Sequence, residues 1–172
     1  MGADRQKRDE AFADWLAPHL AMLRRISRAF AEPADQHDLM QELMLAVWSA
    51  RPRFQERSAA ATFVYRVAHN TALTWKRGET RRRRRREAIE AEMALRAEHK
   101  AAEPEANLLE RLYTAIRTLP PVDRSLVLMS LEGLAYAEIA RHHGLSETNV
   151  GARLSRIRQR IAALVEDPDH GL

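Results

Sequence analysis

Asn149, Arg153, Arg156 and Arg160 are spaced by four, three and four residues, which gathers them on one flank of a helix. Thr148, Ala152, Ser155 and Gln159 fall on a neighbouring face of the same turn pattern. Guanidinium forks hold phosphate oxygens, and short side chains let a helix axis approach base edges, so this set suits the major groove of a duplex. A solvated basic face on an ordinary helical hairpin explains the same spacing. A second cationic cluster, Lys76, Arg77 and the unbroken run Arg81 to Arg86, has the chemistry of a polyanion binder or of a solvated, disordered tail.

The elements that would position the first set are legible around it. Val150, Leu154, Ile157 and Ile161 recur at four, three and four residues and make one apolar stripe. Ahead of them Ser146 is placed to cap the helix, and Leu145 points into a small core. Tyr136, Ile139 and Ala140 keep helical spacing in a preceding helix, which ends on Arg141, His142, His143 and Gly144. Cations suit a helix C-terminus and glycine suits a left-handed stop. The segment from Leu131 to Ile161 is therefore predicted to be a helix-turn-helix.

With 172 residues, 45% of them hydrophobic, the chain is large enough for one ordinary domain or two small ones. Its net charge is only +4 and its pI about 9.9, so the clustering of arginines matters more than their sum. The absence of cysteine excludes disulfides and thiolate zinc sites. No apolar run reaches membrane-spanning length and the N-terminal residues lack the apolar core of a signal peptide, so a cytoplasmic protein without membrane insertion is expected.

In chain order, Phe12, Leu16, Leu20, Leu23, Ile26 and Phe30 predict a helix from Glu10 to Ala31, closed by Glu32-Pro33, with Trp15 and His19 as packing or boundary groups. Asp35 is a plausible N-cap of a second helix that buries Leu39, Leu43, Ala46 and Val47, with Met40, Met44 and Trp48 alongside. Its remaining face, Asp38, Gln41, Glu42 and Leu45, is acidic and apolar, suited equally to solvent or to a partner helix. Arg51-Pro52 breaks this helix, residues 54–61 form a loop, and Thr62 opens a third helix carrying Phe63, Val67, Asn70 and Thr74 on one side and Val64, Ala68, Thr71 and Trp75 on another. Residues 87–107 are rich in alanine and glutamate and read as nascent helix or a semi-flexible tether. Leu108, Leu112, Ile116 and Leu119 begin a second core, and Pro120-Pro121 separates them from a helix over Val122 to Leu131.

No constellation predicts catalysis, cofactor or metal. His142-His143 would need further converging ligands, and the Glu87 and Glu90 pair lies where no pocket is expected.

The run DxxDLxQExxxxxW from Asp35 to Trp48, then Phe54, then TFVYRVAHNTAL from Thr62 to Leu73 resembles region two of the extracytoplasmic-function sigma factors of the sigma-70 family. The stretch from Leu112 to Ile161 resembles their region four. The resemblance implies an all-α chain of two small helical domains: residues 10–86 as region two, 87–107 as a linker threading the polymerase cleft, and 108–165 as region four. It leaves no room after Val165 for the extra C-terminal domain of some relatives.

By resemblance, Asp38, Leu39, Gln41, Glu42 and Leu45 dock on the coiled coil of the largest subunit of core RNA polymerase. Phe54, Arg57, Ser58, Phe63, Arg66, Asn70 and Arg77 take the minus-ten promoter strand, the loop capturing a flipped base. Thr148, Asn149, Gly151, Ala152, Arg153, Ser155, Arg156 and Arg160 read the minus-thirty-five duplex, and an anti-sigma factor is the further partner implied. Asn149, Gly151 and Ala152 stand where the family usually has threonine, a basic residue and serine, and Gly151 weakens its helix by about 1 kcal/mol against alanine. A stand-alone helix-turn-helix regulator and an RNA-binding adaptor built on the arginine block are the alternative readings.

Overall fold

The computed structural model describes residues 10–55, 59–90 and 104–166, with side chains for all of these except 79–90, 104–107 and 166. The described residues are helical, without strands. The chain divides into two compact units, Met1–Lys76 and Arg77–Leu172.

In the first unit the stripe from Phe12 to Phe30 does not form one helix. Residues 10–16 form α1, the turn Ala17–His19 is a 3₁₀ turn containing Pro18, and α2 spans Leu20–Phe30. Proline has no N–H to give the ladder and its ring crowds the preceding turn, so the helix tightens and restarts. The apolar face survives the break, because Leu16, Leu23, Ile26 and Phe30 are all buried. At the other end Pro33 disfavours helical geometry at Glu32, which is extended at φ −65° and ψ 156°. The Ala31 N–H makes the last return, to the Ser27 carbonyl at 2.9 Å.

Helix α3, Gln36–Ala50, packs against α2 through Leu39, Leu43 and Val47. Asp35 holds the N-cap position, yet its side chain makes no cap hydrogen bond. Ala46 is only half-buried, at the edge of that face. The break at Pro52 is a 3₁₀ turn, Arg51–Arg53, after which Phe54 is extended. Helix α4 starts at Ala60, two residues before the predicted Thr62, because the Ala59 carbonyl already accepts the Phe63 N–H at 3.1 Å. Its buried side is Val64, Tyr65, Ala68, His69 and Ala72. His69 sits between the Phe30 ring at 5.7 Å and the Tyr65 ring at 5.6 Å. The backbone of α4 runs on to Glu90 through all six arginines, so that segment is helix and not a disordered tail.

Most of the expected linker, residues 91–103, lies outside the described residues. Helix α5, Pro104–Thr118, starts earlier than the predicted core segment and buries Tyr113, Ala115 and Ile116, with Leu119 just after it. Leu108 is 55% exposed and so belongs to the surface instead of that core. Helix α6 spans Pro121–Leu131, with proline at its first position, where no N–H is required. Buried Arg124 fastens the corner between α5 and α6 by donating to the Arg117 carbonyl and, at 3.0 Å, to the Leu119 carbonyl. A guanidinium there satisfies carbonyls left open at the end of α5 and complements the helix dipole.

Helix α7, Tyr136–His143, ends at Gly144, whose φ of +64° is the left-handed stop that the sequence predicts. The Leu145 N–H then returns to the Ala140 carbonyl at 2.9 Å. The Ser146 hydroxyl accepts the Asn149 N–H at 3.2 Å and so caps α8, Glu147–Glu166. Leu145 is half-buried, while Val150, Leu154 and Ile157 carry the buried stripe of α8.

Candidate nucleic-acid interface

The first unit presents a row of rings around the loop after α3. Trp48 meets Phe12 edge-on at 4.6 Å, Phe12 lies 6.0 Å from Trp15, Trp15 lies 5.8 Å from Phe54, and Phe54 lies 5.0 Å from Phe63. The Arg51 guanidinium stacks 4.6 Å over Trp15 and 5.9 Å from the Phe54 ring. Ring edges and a cation over a ring face hold such a row at low entropic cost. Phe54 and Phe63, predicted separately, are thus one half-buried platform. Sequence reading missed that Phe12, Trp15 and Arg51 complete it, since these contacts join residues remote in the chain. Arg66 and Asn70 are exposed on α4 one turn apart, and Arg77 is exposed farther along the same helix. Arg57 and Ser58 lie outside the described residues.

On α3 the docking set separates. Asp38, Gln41 and Glu42 are exposed, and Leu45 is 61% exposed. Gln41 is tied to His37 one turn before it, side chain to side chain, at 2.8 Å. Leu39 is fully buried, so it is removed from the contact set: it anchors α3 to the core and cannot touch a partner. The periodicity already carried this conflict, because Leu39 shares its face with Leu43 and Val47.

In the second unit Thr148, Asn149, Ala152, Ser155, Arg156 and Arg160 are exposed on α8, as a groove-reading surface requires. Two predicted residues stand apart from them. Arg153 is only 30% exposed and donates from Nε at 2.9 Å and from a terminal nitrogen at 2.7 Å to Oδ1 of Asp123 on α6. Gly151 turns toward α7, where a Cβ would lie 3.4 Å from the Tyr136 ring. Arg153 therefore braces α8 against α6, and Gly151 belongs to the packing between α7 and α8. A helical wheel places them on opposite flanks of the buried stripe, but it cannot show an acid thirty positions earlier or the ring of a preceding helix.

Two more side chains fix α8 and α7 on α6. Arg158 donates to the Ser130 hydroxyl at 3.3 Å. His143 Nε2 lies 2.9 Å from the Ser125 hydroxyl, and burial, aided by the charges of His142 and Arg153, pushes its pKa down to about 4. His143 is thus neutral at pH 7 and does not supply the helix-end cation expected of it. Among the described residues no group of three or more metal-ligating side chains converges, and no helix is long and apolar enough to cross a membrane.

A short helix stopped by a left-handed glycine and followed by a capped helix with an outward face of arginine and small polar groups defines a helix-turn-helix protein. Comparison with known proteins is specific. Residues 15–82 match the family model "Sigma-70 region 2", and residues 109–161 match "Sigma-70, region 4". The ECF RNA polymerase sigma-E factor of Escherichia coli K12 is 30% identical over 142 residues, covering 77% of this chain and 74% of that protein. The ECF RNA polymerase sigma factor SigG of Mycobacterium tuberculosis is 30% identical over 139 residues, covering 77% of this chain. The chain spans only about a third, 32%, of the length of SigG. The sigma factor RpoE from Bartonella quintana, solved in complex with the anti-sigma factor NepR, shares the fold with a TM-score of 0.63 at 20% identity, covering 92% of this chain and 99% of that one. The chain belongs to the extracytoplasmic-function subfamily of the sigma-70 family of RNA polymerase sigma factors.

Proposed function

We propose that this protein is a transcription initiation factor that binds core RNA polymerase in the cytoplasm and directs it to particular promoters. Its work is binding, with no covalent step and no cofactor. The exposed Asp38, Gln41, Glu42 and Leu45 of α3 dock on the coiled coil of the largest polymerase subunit, with Leu39 holding the helix beneath them. The platform of Phe54 and Phe63, with Arg66, Asn70, Arg77 and the neighbouring Arg57 and Ser58, receives the minus-ten strand, because unstacked bases bind on aromatic faces flanked by cations. Thr148, Asn149, Ala152, Ser155, Arg156 and Arg160 meet the minus-thirty-five duplex. In this reading residues 10–86 and 108–165 are the two promoter-contacting domains and 87–107 joins them.

The observation that carries the reading is one chain holding both an exposed acidic and apolar helix face, on α3, and an exposed groove-reading face, on α8. Co-elution with core RNA polymerase tests it. The wild type should be retained and Glu42→Arg should lose retention while keeping its fold. If neither is retained and duplex binding persists, the chain is a stand-alone helix-turn-helix regulator.

An anti-sigma factor is the further partner in this reading, consistent with the complex in which the Bartonella quintana relative was solved. Pull-downs from uninduced cells should recover such a protein, and recovery of only free chain or polymerase would count against it.

A further inference from the structure

We infer that Asp123 sets duplex specificity by withholding Arg153 from the phosphate backbone. The inference rests on the proposed role of α8 at duplex DNA. Arg153, Arg156 and Arg160 lie on one side of α8 and, with Leu119, Asp123 and Ile157, line a recess of about 330 Å³. Arg156 and Arg160 are exposed. Arg153 is not equivalent to them, since its Nε and one terminal nitrogen both converge on a single oxygen of Asp123.

Asp123 lies in the first turn of α6, where the helix N-terminus favours a carboxylate, and it is 21% exposed. The acid is therefore held from its own helix as well as by its partner. Phosphate contacts raise affinity for every sequence alike, whereas base edges discriminate. Engaging Arg153 on the protein lowers the sequence-independent part of binding and leaves the exposed residues of α8 in place to read bases. The same contact fixes the rotation of α8 on α6, so Asp123 is a positioning residue and touches no DNA itself.

The test measures binding of the full chain to a short mixed-sequence duplex across a salt series, for wild type, Arg156→Ala, Arg153→Gln, Asp123→Asn and the double variant Asp123→Asn/Arg153→Gln. Circular dichroism confirms that each is folded. Cations elsewhere contribute equally to all five, so differences in slope report on this recess. Arg156→Ala should flatten the dependence of log affinity on log salt, and Arg153→Gln should leave it unchanged. Asp123→Asn should steepen it by about 0.9, the increment for one added phosphate contact, and raise affinity several-fold at low salt. The double variant should return to the wild-type slope, which a merely structural role for Asp123 would not produce.

Flattening by Arg153→Gln equal to that by Arg156→Ala would overturn the inference, because Arg153 would already be on phosphate. Steepening that persists in the double variant would also overturn it, by showing a general effect of the lost negative charge. An unchanged slope in Arg156→Ala would instead remove the duplex-reading role of α8, and this inference with it.

Discussion

The two units hold their candidate binding faces rigid by different means. Around Phe54 the fastening is ring on ring, from Trp48 through Phe12 and Trp15 to Phe63, with Arg51 laid over the row. Around α8 it is polar and directional: Arg153 to Asp123, Arg158 to Ser130 and His143 to Ser125. Rings tolerate sliding and present a π-face to whatever base arrives. Charged and hydroxyl pairs fix the rotation of a helix, which matters where base edges are read one by one. Under the proposed function, the first unit's fastening suits capture and the second's suits register.

The largest expected effect separates anchoring from contact on α3. Leu39→Ala should cost about 2–5 kcal/mol of stability, as fully buried leucines do, whereas Leu45→Ala should stay within about 0.5 kcal/mol yet weaken polymerase retention. All three tryptophans, Trp15, Trp48 and Trp75, belong to the first unit. Denaturation followed by tryptophan fluorescence therefore reads that unit specifically. Equal destabilisation by the two leucine variants would erase the distinction between core and docking face.

A smaller effect is expected in the ring row. Phe54→Ala, at a half-buried site, should cost about 2 kcal/mol, less than a fully buried phenylalanine, and should disturb the near-ultraviolet signal of Trp15. Its cost should be insensitive to salt. A strongly salt-dependent loss would mean that charge, and not ring packing, organises this unit.

The second unit should show a pH dependence traceable to His143. Its pKa is lowered from 6.5 to about 4 on folding, so between these values the unfolded chain binds more protons and stability rises with pH. Stability contributed by neutral His143 is present above pH 6.5 and is lost as pH falls toward 4. His143→Gln should flatten circular-dichroism melting points over that interval. An unchanged pH profile would remove His143 from the fastening of α7 to α6.

The smallest expected change is a gain. Gly151→Ala should stabilise α8 by up to about 1 kcal/mol, since the added Cβ would meet the Tyr136 ring at 3.4 Å, an ordinary contact distance. A loss of stability would show that α7 and α8 are packed too closely there for any side chain.

What the sequence made legible was local. The stripe of α8, the stop at Gly144 and the cap at Ser146 each depend on residues within a few positions of one another, where helical spacing and backbone preference suffice. Membership of the family was legible for the same reason, since its motifs are contiguous. The break at Pro18 is hidden in the sequence because the apolar period continues through it while the backbone does not. Spacing puts Leu108 in the core and leaves Tyr113 out, the reverse of their burial, because periodicity gives a face but not which end of a helix has a neighbour. The pairing of Arg153 is illegible for a related reason: what a guanidinium touches depends on its nearest acid, and Asp123 stands on another helix.

The turn at Gly144 also bears on the order in which the second unit forms. Leu145 to Ala140 and Asn149 to Ser146 close loops of a few residues, which cost little chain entropy and form on the fastest folding timescales. Arg153 to Asp123 spans 30 residues, and Arg111 to the Val165 carbonyl spans 54. The helix pair is thus expected to nucleate early, while the rotation of its second helix is set late, when distant partners close. A newly made chain would then hold a formed turn before α8 has its final orientation.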